Sequence, residues 1–250
     1  MVVVKFWCLS AISRFIFTFL LVAAGVGSLQ AAEESQARGE MAKPSEEQTV
    51  QTAEISADAD ALETLLADQD GLLASFRQRD FDAYGRPLDE STGALTLARP
   101  NVRWEVEAPF PQTILLSQGE LQIYDPDLEQ LTIKSLGENW GGVPLALLTK
   151  EGLDLAQKYR VSESLPALRN GETYSEERMF VLYPIARLDE QSYFAELRIT
   201  FFESRLQALE LKDHSNQRTR ITFHNHTKPQ VVQSSLFELK IPEGTEVVRG

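Results

Sequence analysis

Apolar and polar residues alternate along much of the chain, in short runs separated by turn residues. In the clearest run, Val102, Trp104 and Val106 are separated by charged residues. Side chains of a strand point alternately to opposite faces, so this pattern predicts strands with one apolar and one polar face. It predicts strands at Leu72–Phe81 and Leu88–Ala98, four short strands from Val102 to Ile133, and then Met179–Ile185, Tyr193–Phe202, Leu206–Lys212, Arg218–His226 and Leu236–Ile241.

Two segments have helical periodicity instead. Apolar residues recur at i, i+4, i+7 and i+11 from Ile55, which predicts a helix over Asp58–Leu66. Pro144 suits the first turn of a second helix that continues to about Lys158. The sequence therefore predicts a mainly β fold with helices. We expect an unclosed antiparallel β-barrel of about ten or eleven strands with the helices on one face.

The strand alternation assigns a large set of apolar residues to one face of this sheet. A packed core and a binding cavity are both compatible with such a face. Its candidate residues are Phe76, Leu95, Leu97, Trp104, Val106, Ile114, Leu116, Ile133, Leu197, Ile199, Phe201, Ile221 and Phe223, with Val181, Leu209, Phe237 and Leu239 as further candidates.

The N-terminus has the pattern of a secretory signal. Lys5 and Arg14 precede an apolar segment from Phe15 to Ala24, and Ala31 or Ala32 provides a cleavage point. An uncleaved membrane anchor is the alternative, although the apolar run is short for a membrane span. We predict a signal peptide at residues 1–32, an acidic linker without fixed structure at residues 33–57, and one domain at residues 58–250.

Charge and cysteine content narrow the functional classes. The formal net charge is −13, and removal of the signal would make the chain more acidic, so nucleic acid is a poor partner. Cys8, the one cysteine of the sequence, lies inside the signal, so the mature chain has neither a disulfide nor a thiol nucleophile. We expect no enzymatic activity and no cofactor.

Several clusters resemble metal or catalytic sites but fit simpler structures. His224 and His226 alternate on one strand but lack an evident third ligand. Asp125, Asp127 and Glu129 lack the glycine and distant glutamate of a calcium loop and read as a turn. The Asp213–Ser215 tripeptide also reads as a turn, because adjacent residues cannot form a catalytic relay. We predict no metal site.

Arg99 departs from the apolar pattern. It shares parity with Leu95 and Leu97, so it points to the apolar face at a strand end, where a cation needs partners. An ion pair at the sheet edge is one interpretation. The other is a set of hydrogen bonds to backbone carbonyls, which the five donors of a guanidinium can supply.

A combination of short motifs resembles the LolA family of periplasmic lipoprotein carriers. The motifs are Arg99-Pro100-Asn101, Arg103-Trp104-Glu105, Pro109-Phe110, Ser117-Gln118-Gly119 and Tyr124-Asp125-Pro126-Asp127-Leu128-Glu129-Gln130. The resemblance continues at the Ala74–Gln78 strand, at the Pro144–Leu148 helix and near the C-terminus. It covers roughly Asp58 to Val248.

The resemblance implies a carrier located in the periplasm. Its apolar cavity would take up the acyl chains of lipoproteins released by a LolCDE-type ABC transporter of the inner membrane. The cargo would pass to a LolB-type outer-membrane receptor, and we expect the carrier to be a monomer. The resemblance further implies that Arg99 holds a helical lid closed, with lid residues Leu62, Leu65, Leu66, Pro144, Leu145, Leu147 and Leu148.

The chain departs from the family pattern at two turns. Only Val102 separates the Arg-Pro-Asn tripeptide from Arg103-Trp104, and the turn after Ser117 is also one residue short. A one-residue change reverses strand parity unless a bulge absorbs it. A lipid-binding or envelope-sensing module of the same shape is the alternative function, although the single domain ending at Gly250 favours the carrier. A small hydrolase is a weaker alternative.

Overall fold

A computed structural model describes residues 46–117, 119–135, 146–149, 155–164, 176–185 and 194–249. Twelve strands of these residues form one sheet. They are β1 (Leu73–Phe81), β2 (Pro87–Ala98), β3 (Asn101–Ala108), β4 (Gln112–Ser117), β5 (Glu120–Asp125), β6 (Gln130–Ser135), β7 (Tyr159–Ser164), β8 (Glu177–Pro184), β9 (Glu196–Phe202), β10 (Arg205–Lys212), β11 (Arg218–Thr227) and β12 (Glu246–Arg249).

The sheet is open, with β12 at one edge and β7 at the other. Its order is β12-β6-β5-β4-β3-β2-β1-β11-β10-β9-β8-β7, and every pairing is antiparallel except that of β12 with β6. The predicted open-barrel class is thus confirmed. The predicted strand number was slightly low, because the sequence pattern did not reveal β7 or the short parallel β12. The strand predicted at Leu236–Ile241 is wrong, because this segment forms a short 3-10 helix at Ser234–Phe237.

Three α-helices accompany the sheet in the described ranges: α1 (Glu46–Ala67), α2 (Ala146–Thr149) and α3 (Leu155–Lys158). Helix α1 begins earlier than the predicted Asp58, so the described part of the expected linker is helical. The signal peptide and the first part of the linker lie outside the described residues, and their boundaries remain predictions. None of the helices described is long and apolar enough to cross a membrane.

The chain divides into two compact units, Met1–Glu54 and Ile55–Gly250. Helical residues 46–54 are the described part of the first unit. All strands belong to the second unit, so the second unit contains the whole sheet and the features discussed below.

The core of the second unit lies on one face of the sheet, which we call the inner face. On β2, Leu95 and Leu97 are buried opposite Trp104 and Val102 of β3. Gly93 precedes them in the same row, and a β-carbon there would overlap the Glu105 carbonyl and lie 2.8 Å from the Phe76 ring. Glycine at this position therefore allows close packing where the β2–β3 register shifts.

The C-terminal segment covers part of the opposite, outer face. Its 3-10 helix packs on β3 and β4, Phe237 is buried there, and an Arg103 N–H donates to the Leu236 carbonyl at 3.4 Å. A groove of about 630 Å³ runs between this segment and the strands and is lined by charges of both signs, among them Arg103, Glu107 and Lys240. Both faces of β4 are consequently buried.

Candidate functional site

An aromatic cluster forms the centre of the inner face. Phe76 of β1 stacks on Trp104 of β3 with ring centroids 4.1 Å apart, and Trp104 meets the edge of Phe223 of β11 at 6.1 Å. The register places Phe76 opposite both Phe223 and Gly93. The missing side chain at Gly93 thus allows the Phe76 ring to reach Trp104.

The apolar surface continues across the sheet to β7. Phe180 and Phe201 make an edge contact at 6.2 Å, and Leu197 and Ile199 beside them are fully buried. Eleven residues predicted for the inner face are buried: Phe76, Leu95, Leu97, Trp104, Val106, Ile114, Leu116, Leu197, Ile199, Phe201 and Phe223. Ile221 lies in the same row as Phe223 but is half-buried. Leu209, opposite Ile221, is buried as well.

Ile133 was assigned to the wrong face. It pairs with Gln122, which in turn pairs with Leu115, whereas Ile114 and Ile123 occupy the inner row. The outer face of β4 is itself apolar, so the alternation of residue types alone does not assign residues of β4, β5 and β6 to one face. Val181, which pairs with Arg198, and Leu239, in the C-terminal segment, also lie off the inner face. Phe237 lies in that segment too.

The part of helix α1 that belongs to the second unit has a buried apolar side. Leu62, Leu65 and Leu66 are buried, as is Ala59 one turn earlier. Hydrogen bonds also fix the helix: the Asp58 carboxylate accepts the Glu163 N–H of β7 at 2.9 Å, and the Glu63 carboxylate accepts the Leu155 N–H of α3 at 2.6 Å. The helix is therefore held both by apolar packing and by polar contacts.

Gln69 fixes the chain just after α1 and was not identified from the sequence. Its amide nitrogen donates to the carbonyls of Leu65 and Ser204, each at 2.8 Å. Its amide oxygen accepts the N–H of Leu206 at 3.1 Å. The side chain is buried and connects the end of α1 to the β9–β10 turn. A glutamine in a polar loop carries no sequence signal for such a role.

The short helix α2 contributes further apolar cover. Leu147 and Leu148, which were predicted as lid residues, are buried. Pro144 and Leu145 lie outside the described residues. We call α1 and α2 the lid, because both bury leucines and both are bonded to the side chain of Arg99 at a strand end.

Arg99 connects the two lid helices. Its Nε donates to the Leu148 carbonyl of α2 at 2.9 Å, and its terminal nitrogen donates to the Leu66 carbonyl of α1 at 2.5 Å. Its backbone N–H donates to the Asp70 carboxylate at 2.8 Å, which fixes the strand end independently of the side chain. Carbonyls near helix C-termini lack intrahelical partners, so a guanidinium fits them well. The structure thus has the carbonyl bonds that were one of the two interpretations of Arg99.

A buried polar cluster lies at the other end of the inner face. Thr219 donates to the Asp80 carboxylate at 2.6 Å, and the Gln78 amide donates to the same carboxylate at 3.1 Å. Burial raises the pKa of Asp80, while the hydrogen bonds from Thr219 and Gln78 oppose this shift. Ser91, opposite Gln78, is also buried. These residues alternate with polar neighbours, so sequence reasoning did not assign them to the inner face.

The clusters interpreted as turns are turns. Asp125 accepts the N–H groups of Asp127 and Leu128, and Asp213 accepts those of Ser215 and Gln217. The two histidines of β11 do not converge: His224 is exposed, while the His226 ring lies 2.7 Å from the Leu206 carbonyl oxygen. Asn225 between them has a positive φ of 55° and interrupts the alternation.

Comparison with known proteins identifies the family. The model of the family described as outer membrane lipoprotein carrier protein LolA matches residues 68–240. An outer-membrane lipoprotein carrier protein of Chromohalobacter salexigens is 33% identical over 76% of this chain and 86% of that protein. Its counterpart from Hahella chejuensis is 33% identical over 78% of this chain and 89% of that protein.

The structural comparison is weaker. The crystal structure of a LolA superfamily protein from Nitrosomonas europaea covers 74% of this chain and 97% of its own, with 14% identity and a TM-score of 0.44. That similarity is too low to add to the assignment, which the family model and the curated relatives carry. On their evidence, this chain belongs to the LolA family of outer-membrane lipoprotein carrier proteins.

Proposed function

We propose that this chain is a periplasmic carrier that binds the acyl chains of lipoproteins and delivers them to the outer membrane. The observation that carries this proposal is a continuous apolar sheet face covered by two helices that one arginine holds together. The family membership supports the same function. Relatives are named as carriers, and this chain has the surface that a carrier requires.

Acyl chains bind by replacing the lid leucines on the inner face. Burying one leucine side chain stabilises the closed form by roughly 1.5–3 kcal/mol, so an empty carrier keeps its lid closed over Phe76 and Trp104. An acyl chain contributes about 0.8 kcal/mol per buried methylene, on the order of 10 kcal/mol for a long chain. The five buried lid leucines together contribute about 7.5–15 kcal/mol, so the two or three acyl chains of a lipoprotein supply enough free energy to displace the lid and occupy the apolar face.

Arg99 sets the balance between the closed and the open lid. Its guanidinium bonds both helices through backbone carbonyls, so the closed form has two charge-assisted hydrogen bonds that an open lid lacks. The lid then favours closure when no cargo is bound and promotes release when an acceptor competes for the acyl chains. Arg99 thereby links uptake to delivery.

The carrier works by binding and not by chemistry. It receives acylated lipoproteins from a LolCDE-type ABC transporter in the inner membrane and passes them to a LolB-type receptor in the outer membrane. It acts in the periplasm as a monomer without a cofactor. An assay with generic ester substrates distinguishes the two functions. A carrier should leave these esters intact, whereas a small hydrolase should cleave them.

Release of lipoprotein from spheroplasts tests the carrier function. Purified mature chain is added to spheroplasts that accumulate an outer-membrane lipoprotein, and the soluble fraction is probed for a one-to-one complex. We expect release of the acylated lipoprotein. A form of the cargo whose lipid-bearing cysteine is changed to serine is the control and should not associate with the carrier. If the acylated lipoprotein stays in the membrane, the proposed function is wrong.

A further inference from the structure

The inner face is not apolar along its whole length. Four buried polar side chains from three adjacent strands occupy the end away from Arg99: Gln78 and Asp80 of β1, Ser91 of β2 and Thr219 of β11. The register brings them together, because Gln78 is opposite Ser91 and Asp80 is opposite Thr219. Polar groups buried beside an apolar surface are costly unless they are hydrogen-bonded.

Three members of the cluster, Gln78, Asp80 and Thr219, are hydrogen-bonded to one another. Thr219 donates to one oxygen of the Asp80 carboxylate, and the Gln78 amide nitrogen lies 3.1 Å from the other oxygen and 3.5 Å from the first. Ser91 is different. It is only 2% exposed, and its hydroxyl oxygen has no hydrogen-bond partner in the part of the chain that the structure describes. Buried hydroxyls without a partner are rare in folded proteins, so this one calls for an explanation.

The position of Ser91 relates it to the apolar surface. It follows the half-buried Asp89 in the inner row of β2, which continues through Gly93 and Leu95 to Leu97 and is followed closely by Arg99. Six residues of strand span about 20 Å. An extended long-chain acyl group has a similar length. An acyl chain lying along this row would therefore have one end beside Ser91 and the other beneath the lid.

We propose that the Ser91 hydroxyl donates a hydrogen bond to the carbonyl oxygen of a bound acyl group. The proposal rests on the proposed carrier function and deepens it by orienting the cargo. A carbonyl oxygen accepts hydrogen bonds and offers none, which complements a buried hydroxyl that has a proton to donate and no partner among the described residues. The tail then points toward Arg99, and the polar end of the cargo leaves beside the β1–β2 hairpin.

Acyl binding to the full mature chain tests this orientation, with displacement of an apolar fluorescent dye as readout. The first probe is a lipopeptide with two ester-linked palmitoyl chains on its glyceryl cysteine. The second has ether-linked chains of the same length and lacks both carbonyls. We expect the parent to bind the ester probe roughly two- to tenfold more tightly, as for one neutral hydrogen bond.

Two variants isolate Ser91. Ser91→Ala should abolish the ester preference while leaving the affinity for the ether probe unchanged. Ser75→Ala, on the outer row of β1, is the matched control and should retain the preference.

The outcomes separate this proposal from the carrier function. Equal binding of both probes by the parent, or a preference that persists in Ser91→Ala, overturns the Ser91 site while acyl binding itself stands. Failure of every probe to displace the dye overturns the carrier function, and the Ser91 site with it.

Discussion

Arg99→Leu is expected to shift the lid toward its open form. The substitution removes two hydrogen bonds, to the Leu66 and Leu148 carbonyls, and places an apolar side chain at the edge of the inner face. The backbone N–H of residue 99 still donates to Asp70, so the strand end stays in place.

The size of the effect follows from the two bonds. A hydrogen bond to a charged group contributes roughly 1.5–3 kcal/mol, and Arg99 is only half-buried, so the lower value applies to each bond. Together they favour closure by about 3 kcal/mol, or roughly a hundredfold in the closed-to-open ratio. Arg99→Lys should give a smaller shift than Arg99→Leu, because an ammonium group can still donate to one carbonyl. It should still differ from the parent, because it lacks the planar fork that reaches both carbonyls.

Two measurements follow the shift. Amide hydrogen exchange over α1 and α2 should accelerate in Arg99→Leu, and transfer of bound lipoprotein to the outer-membrane receptor should slow while uptake persists. Arg103→Leu is the matched control, since Arg103 lies on the outer face beside Glu105. Unchanged exchange in the lid together with transfer at the parent's rate would refute this role and leave Arg99 as a structural residue.

Three further substitutions test other parts of the same architecture. Gln69→Leu leaves the Leu206 N–H and two carbonyls without a partner, which should lower the free energy of unfolding by about 2–4 kcal/mol in urea titrations, whereas Gln69→Glu keeps the acceptor and should cost less. Gly93→Ala introduces a β-carbon against the Glu105 carbonyl, so we expect a much lower melting temperature, and a melting temperature within a degree or so of the parent would contradict the packing. Burial raises the pKa of Asp80, so the folded chain retains a proton that the unfolded chain loses, and stability should fall as pH rises from about 4 through the raised pKa. Asp80→Asn stays neutral and should flatten that decline in denaturation curves; a parallel decline in the variant would assign the pH dependence to other groups.

Sequence periodicity predicted the inner face well where only one face of a strand is buried. On β2 and β3, apolar residues alternate with polar ones, and the predicted positions such as Leu95 and Trp104 are buried opposite each other. On β4 both faces are covered, because the C-terminal segment packs on the outer one. Every residue there is favoured to be apolar or uncharged, so parity no longer identifies a face.

The elements that were missed depend on distant parts of the chain. Strand β12 has four residues and pairs in parallel with β6, a partner far away in sequence. Strand β7 follows directly after α3, so its two buried residues, Tyr159 and Val161, continued an apolar pattern already assigned to a helix. Short segments carry too few residues for periodicity to separate strand from helix.

The functional residues differ in how much signal they leave in a sequence. Arg99 was identifiable because a charge on an apolar row contradicts the local pattern, and such a charge requires partners. Gln69 and Ser91 are neutral and small or flexible, and residues of these types occur on either face of a strand or in any turn. Their importance arises only when folding removes water from around them. A charge on an apolar row can therefore be recognised from the sequence as needing partners, whereas a neutral hydrogen-bonding group is recognised only once its partners, or the lack of one, are known.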